Sequence, residues 1–474
     1  MQLKVKGMTT ASRRREPEAE IPDYGEEGPS VSIAASKPRS GLSLRANFSW
    51  TFVGNAVDAA AWWAMTVVLA KLGSPEHVGQ FALGLAATAP VFMFATLRLR
   101  DIQATDAKQE YLFGDYFALR LVTTTLALLV VAGIALASGY AWETALVILA
   151  TGVSKASEAI SDVAYGLFMQ YERLDRIAKS MMIKAPLSLL GLAIGYYLTG
   201  RVFWGVVGLA TARIVIMVSY DIRNAALTVK PSLGSVARVT LRDVPRPHWS
   251  ARTLTRLAWI ALPLGLVTML ISLNSNIPRY FIESKLGSYQ LGIFVAIAAF
   301  QKVAPTVLQA LGRSASPRLA KYYAANNAKA FRKLALRLAG IGILLGAAGV
   351  GVALVGGRQL LTLFYGPEYA LPNIFALVML AAGIDYVATL LLSVVTSARY
   401  FRVQLPLQLL TTGTVALACL WLVPSIGLQG AAMALIIGNL VRALGTFGAA
   451  WHAHRALRKG PATSEAQALG APQT

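Results

Sequence analysis

Between residues 48 and 451 the chain is a succession of apolar stretches, each close to bilayer-spanning length, separated by polar joints. Twelve such stretches can be marked, at 48–70, 77–97, 116–137, 144–169, 181–199, 202–219, 257–278, 288–311, 338–356, 372–397, 403–423 and 427–451. None of them shows the period-2 alternation of a half-buried strand, so helix is the predicted state. About 20 apolar residues cross the hydrocarbon core as a helix. Lipid leaves helices or closed barrels as the only spanning structures. The pattern predicts an all-α polytopic membrane protein of twelve transmembrane helices.

The joint at 220–256 is the longest and divides these spans six and six. Two words recur in corresponding places on either side of it. KLGSPEHVGQF, from Lys71, links span one to span two, and KLGSYQLGIF, from Lys285, links span seven to span eight. Gly79 and Phe81 in the first copy are echoed by Gly292 and Phe294 in the second, and Ala89-Pro90 by Ala304-Pro305. A chance match of one tetrapeptide is easy in a Leu- and Gly-rich chain; a match of place as well points to duplication. Six is even, so both halves start from the same membrane face. That predicts two six-helix lobes related by a pseudo-twofold axis along the membrane normal, as in some transporters. The expected layout is a polar tail 1–47, an N-lobe 48–219, a linker 220–256, a C-lobe 257–451 and a second tail 452–474. Two lobes that rock about a cleft suit a transporter with alternating access better than a channel or an enzyme.

Composition agrees with a bilayer as the solvent. The 474 residues are 55% hydrophobic and only 14% charged, whereas soluble domains carry about 25% charged residues. The first 47 residues lack the short apolar run of a signal peptide. The net charge of +21 invites a nucleic-acid reading, but the placement of the charges explains it otherwise. With twelve spans, the tails and even-numbered joints hold 33 of the 44 Lys and Arg, the other face holds 5, and the rest lie inside spans. Cytoplasmic segments collect Lys and Arg, so both termini are expected in the cytoplasm. No nucleic-acid partner is implied. The joints on the opposite face are short, the longest being about 15 residues around LLTLFYGPEYALP at 360–372. That excludes a sizeable extracytoplasmic catalytic domain. The single Cys419 permits no internal disulfide, and His77, His248, His452 and His454 lack metal-ligand spacing. No Walker phosphate loop occurs, so any energy source is a gradient of H+ or Na+. No other cofactor is implied.

Three stretches carry a family resemblance: FSWTFVGNAVDAAAWWAMTVVLAKLGSPEHVGQFALGLA at span one, LFYGPEYALP before span ten, and VPSIGLQGAAMALIIGNLV entering span twelve. Together with the twelve-span layout they resemble the polysaccharide-biosynthesis (O-antigen, lipid-linked oligosaccharide) flippases of the superfamily that also contains the MATE multidrug exporters. The resemblance covers about residues 45–455, and no single motif in it is diagnostic. It implies a V-shaped pair of lobes in a bacterial inner membrane, with spans one, two, seven and eight lining a central cavity. A polyprenyl-pyrophosphate-linked oligosaccharide would pass its head through that cavity for surface polysaccharide or lipopolysaccharide synthesis. Membrane lipids and polysaccharide-assembly proteins are the partners implied.

Ionisable residues inside spans usually face the protein interior or water and mark function. Within the spans expected to line the cavity, Asn55 and Asp58 share a helix face, and Asp58 is the candidate for ion coupling. The other reading of Asp58 is a structural hydrogen-bonding group. Asn274 and Asn276 are suited to sugar hydroxyls, Arg279 to phosphate, and Trp62 and Trp63 to stacking on sugar rings. Interfacial anchoring is the plain alternative for Arg279 and for one of the tryptophans. Gln301 and Lys302 fall mid-span and suggest a cationic cavity. Arg98 and Arg100, at the inner end of span two, either receive the pyrophosphate or simply mark the cytoplasmic side. Lys155, Glu158 and Asp162 in span four lie on one helix face, and tie neighbouring spans or relay protons. Asp385, Arg213 and Arg442 are expected to pair within their own lobes. A MATE-type drug or cation antiporter is the alternative function; it calls for an acidic or aromatic cavity. A membrane-embedded glycan enzyme or assembly scaffold is the third reading, and the short outer joints count against it.

Overall fold

The computed structural model describes residues 44–106, 110–229, 246–302, 304–398, 400 and 403–459. Every regular element among them is helical. In chain order these are α1 (Leu44–Leu72), α2 (Pro75–Ala95), the short α3 (Leu99–Thr105), α4 (Phe113–Ala137), α5 (Trp142–Gln170), α6 (Leu174–Thr199) and α7 (Val202–Ile216). A π-helical turn, Met217–Ile222, leads to α8 (Arg223–Val229). Then come α9 (Ala251–Ala299), α10 (Ala304–Ala324), α11 (Ala328–Phe364), α12 (Pro372–Ser397) and α13 (Gln404–Lys459).

Two of these are double rods. α9 is interrupted at Gly287, with φ 84° and ψ 174°, and α13 at Ile426 and Gly427, the glycine with φ 61° and ψ −135°. Both glycines occupy backbone conformations that only a residue without Cβ adopts freely. The breaks fall where the sequence placed the joints between spans seven and eight and between spans eleven and twelve. Gly73 of the first KLGS word likewise lies in the turn between α1 and α2.

Nine described helical stretches, the two double rods each counted once, are long and apolar enough to cross a membrane by length and composition. α5, expected as span four, is not one of them. It carries Lys155, Glu158 and Asp162 in its interior, and the two carboxylates pair with arginines from other helices. α10 is also outside that set. Large apolar side chains face outward, among them Val355 at 86% exposed and Trp421 at 75%. Apolar surface of that extent and distribution requires a lipid or protein partner.

Several boundaries move. Helix already starts at Leu44 and continues to Lys459, so helical structure enters both stretches read as tails. Hydrogen-bonded propagation carries a helix past the apolar run that nucleates it. The tail assignments for 1–43 and 460–474 lie outside the described residues. The joint taken as about 15 residues at 360–372 shrinks to 365–371, because α11 runs to Phe364 and α12 starts at Pro372. Helix likewise extends into the expected linker, to Val229 at one end and from Ala251 at the other. His248 ties that linker to α4: its Nδ1 lies 2.8 Å from Asp115 Oδ1, and its backbone N–H donates to Gly114 O at 3.1 Å.

α2 packs along α9. The Tyr280 hydroxyl donates to Ala86 O, Thr268 Oγ1 donates to Met93 O at 3.0 Å, and Gly265 lies against Phe94 O and Leu97. At the other end of α2 the two repeated words meet each other. A Cβ on Gly79 would fall 1.9 Å from Ser288 O, and a Cβ on Gly292 1.7 Å from Pro75 O. Each contact is the mirror of the other under the Gly-x-Phe correspondence, since Pro75 and Ser288 each stand four residues before the glycine. A self-complementary contact of this kind is what a local twofold produces, and small residues are what let membrane helices approach so closely. Val78, Phe81, Leu291 and Phe294 flank the contact and are buried in the largest core cluster.

Candidate functional site

α5 presents a polar face made of Ser154, Lys155, Glu158, Ser161, Asp162 and Tyr165, at helical spacing. Lys155 Nζ donates to Glu158 Oε2 at 2.7 Å, and Arg213 from α7 pairs with Glu158 Oε1. Arg213 Nη1 also donates to Ser154 Oγ at 3.0 Å. Trp62 of α1 covers both cations: its ring centre is 4.9 Å from Arg213 Cζ and 5.1 Å from Lys155 Nζ. Cations so placed are attracted by the ring quadrupole.

A second cluster lies one turn further along. Lys184 of α6 donates to Asp221 Oδ2 at 2.8 Å, to Ser161 Oγ at 2.9 Å and to the Tyr165 hydroxyl at 3.1 Å. Ser180 Oγ donates to the other carboxylate oxygen of Asp221 at 2.6 Å. The π-helical turn carries Asp221 into this fully buried position; such turns often accompany functional sites. Beside these clusters, Asp162 accepts from Arg120 Nη2 at 3.0 Å and lies 3.6 Å from Arg100 Nη1. The α5 carboxylates are thus each paired with an arginine from another helix. Arg442 of α13 pairs with Asp385 of α12.

Asp58 stands apart. It is half-buried on α1, and among the described residues neither a hydrogen bond nor an ion pair to it is formed. The charges that act on it through space are Glu158, Arg213, Lys155 and Lys184. Asn55 on the same helix is exposed.

The other expected binding residues divide between two places. α9 continues to the break at Gly287, so Arg279 lies inside the rod and not in the joint after residue 278. Its Nη1 donates to Asn276 Oδ1 at 3.1 Å, and Asn276 Nδ2 in turn donates to Ser272 O at 2.8 Å. Among the described residues no carboxylate pairs with Arg279. Asn274 Oδ1, two residues before Asn276, is buried without a hydrogen-bond partner among the described residues. Gln301 sits in the 3-10 turn Phe300–Lys302, where its side chain donates to Val378 O at 2.9 Å and its carbonyl accepts from Tyr386. It is anchored to α12. The Lys302 side chain lies outside the described residues. Arg98 pairs with Asp101 at 2.6 Å on the surface. It follows Leu97 through a bend in which both residues have φ of 48°, a costly conformation for residues other than glycine. Arg100 stacks on the Tyr165 ring, 5.5 Å from its centre. Trp63 packs edge-on against Phe364, with ring centres 4.8 Å apart. Among the described residues no group of three or more His, Cys, Asp or Glu converges on a common point.

Solved transporter structures share this architecture. An inward-facing MATE-family multidrug-resistance transporter of the MOP superfamily matches over 85% of this chain and 95% of its own, with a TM-score of 0.64 at 17% identity. The chain carries the MATE transporter fold. The outward-facing conformation of such a transporter matches with a TM-score of 0.54, covering 87% of this chain and 95% of that one at 17% identity. A third match is a superfamily transporter from Pyrococcus furiosus, described as having a binding pocket of reverse polarity that suggests a different function. Its TM-score is 0.51 at 17% identity, covering 87% of this chain and 95% of its own. At the level of sequence the chain is 27% identical over 400 residues to a capsular polysaccharide biosynthesis protein, CapF, of Staphylococcus aureus, covering 83% of this chain and 96% of that protein. No family model matches. The resemblance to the polysaccharide-biosynthesis branch of the MATE-like exporters is therefore borne out. With its long apolar helices, this is the fold of a multi-pass membrane protein.

Sequence reasoning missed Asp221 and Arg120 as partners. Lys184 and Asp221 are 37 positions apart, and Arg120 and Asp162 are 42 apart, so spacing carries no signal for either pair. The signal that was available is simple: a span with several charges needs several opposite charges from neighbouring spans.

Proposed function

We propose that the protein flips a polyprenyl-pyrophosphate-linked oligosaccharide across a bacterial inner membrane for surface polysaccharide synthesis. The observation that carries this reading is Arg279, a cation inside a transmembrane rod with an amide as its partner and no carboxylate among the described residues. A charge inside a span as a rule faces the bundle interior or a water-filled cavity and marks a substrate or ion path, and guanidinium is matched to phosphate oxygens. The CapF likeness supports a glycan as the cargo. The polarity reversal described for the Pyrococcus relative shows that this fold accommodates pockets of either sign.

The mechanism that fits is alternating access of two six-helix lobes, with both termini cytoplasmic. The twofold contact of Gly79 with Gly292 supports the lobe symmetry. The breaks at Gly287 and Gly427 support twelve spans. The closer match to an inward-facing structure supports a state open to the cytoplasm. In that state the pyrophosphate meets Arg279 while the lipid tail stays in the bilayer. Lys302 is assigned to the same cationic path. Asp58, which forms no hydrogen bond or ion pair among the described residues, is the group that would exchange H+ or Na+.

The test is deletion followed by lipid analysis, with Arg279→Gln as the point variant. The expected result is lipid-linked glycan accumulating on the cytoplasmic leaflet in both strains, at unchanged protein abundance for the variant. Normal export by Arg279→Gln removes the anion-carrier argument. The unpartnered Asp58 favours a second reading, a drug or cation antiporter; normal glycan export with new sensitivity to cationic dyes on deletion would establish that reading instead.

A further inference from the structure

An aromatic cluster joins the two halves of the chain at the end where α1 and α11 finish. Trp63 comes from α1; Phe300, Phe364, Tyr365, Tyr369 and Phe375 come from the second half. Phe300 is its hub, with ring centres 6.3 Å from Trp63, 5.7 Å from Tyr365 and 5.2 Å from Phe375. Tyr365 and Tyr369 follow at 5.6 Å. Beside the cluster, Lys71 Nζ donates to Thr362 O at 3.5 Å, a second link between α1 and α11. Trp63 is half-buried at the edge of the cluster.

Two atoms in this cluster are out of place for mere packing. Tyr365 and Tyr369 are each 1% exposed, and both hydroxyl oxygens are buried without a hydrogen-bond partner among the described residues. The Tyr365 hydroxyl has the Trp63 indole near it, but outside hydrogen-bond geometry. An unmet buried hydroxyl destabilises the state that holds it, and phenylalanine would serve better in a purely structural cluster. The hydroxyls therefore weaken the junction as it stands.

We infer that this junction is a carbohydrate-contact site in the exit path, closed in the present state, which on opening offers the Trp63 ring to a sugar face and the Tyr365 and Tyr369 hydroxyls to sugar hydroxyls. Tyrosine and tryptophan combine an apolar ring with a polar tip, which matches a pyranose with its C–H face and hydroxyl rim. The inference rests on the glycan-flippase reading and extends it from the charged head group to the sugar. The junction is also the contact that two rocking lobes must break to release cargo on that side.

Tyr365→Phe with Tyr369→Phe tests it, because each change removes one oxygen and keeps the ring. Thermal unfolding of the purified full chain in detergent and export of the host's own surface glycan per molecule of inserted protein are the two readouts. The expected pair of results has opposite signs: a midpoint equal to or above that of the unaltered protein, and export reduced about fivefold, the loss of one or two net hydrogen bonds. Full export with a raised midpoint makes the cluster packing alone and overturns the inference. A lowered midpoint overturns it too, since the hydroxyls would then have partners in the closed state. Arg279→Gln is measured in the same cells. If it blocks export while the double phenylalanine variant does not, only the sugar site falls; if neither affects export, the flippase reading falls with it.

Discussion

Gly292→Ala adds one methyl group where Pro75 O already stands 1.7 Å from the new atom. To bring that oxygen to the 3.0 Å at which a Cβ first becomes tolerable, the backbones must separate by about 1.3 Å. The obstacle is a main-chain carbonyl, so no side-chain rotation relieves it. Overpacking of this severity belongs at the top of the usual range, about 3 kcal/mol. Replacing glycine by alanine inside a helix returns about 1 kcal/mol, so the net loss is about 2 kcal/mol. Gly79→Ala meets Ser288 O at 1.9 Å and should cost nearly the same. The reciprocity makes a sharper prediction. One separation of α2 from the 288–299 part of α9 relieves both clashes, so the double variant should lose little more than either single variant. Contacting residues show such non-additivity, whereas independent sites add. Gly351→Ala is the control, since nothing lies within 4 Å of its new atom, and it should be neutral or slightly stabilising. Thermal midpoints of the four variants in one detergent decide the matter. If Gly292→Ala matches Gly351→Ala, or if the double variant loses the full sum, the two glycines do not share one symmetric contact.

The buried ion pairs give further outcomes. Asp162→Asn strands Arg120, whose side chain is fully buried, and should cost about 3–5 kcal/mol of stability, read as a lower midpoint and lower abundance. Lys184→Met strands Asp221 in the same way and by a similar amount. Adding Asp221→Leu to it should recover much of the loss, because a buried pair exchanged for apolar groups is often neutral. If Lys184→Met alone leaves the midpoint unchanged, the pair is not formed in the membrane.

Much of the architecture was legible in advance. Apolar run length is a direct consequence of bilayer thickness, so the helices fall on the marked stretches. The second KLGS word marks a break because glycine there suits the backbone, with φ 84° at Gly287. Positions measured along one helix were also readable: Lys155 and Glu158 pair within a single turn, as their spacing allows. The joints were read less well. Hydrophobicity ends before hydrogen bonding does, which is why Arg279 turned out to lie within α9 and why the joint before α12 is only 365–371.

The candidate site was legible by residue type and not by partnership. A lysine or carboxylate in a span announces that something must compensate it, without saying what. Trp62 looked like a sugar platform, and the structure sets it over Arg213 and Lys155. Gln301 looked open to a cavity, and it is held by Val378 O.

What the sequence determined by itself is the solvent and the helical state of the chain, because these depend on local composition and on periods shorter than one span. The tertiary structure alone decided that Gly79 meets Gly292, that a π-helical turn brings Asp221 to Lys184, and that Arg279 has an amide and, among the described residues, no acid for a partner. Those are facts about which helix faces which. In a membrane every span presents much the same apolar pattern to lipid, so the pattern cannot name its neighbour; close packing and the pairing of a few buried charges do.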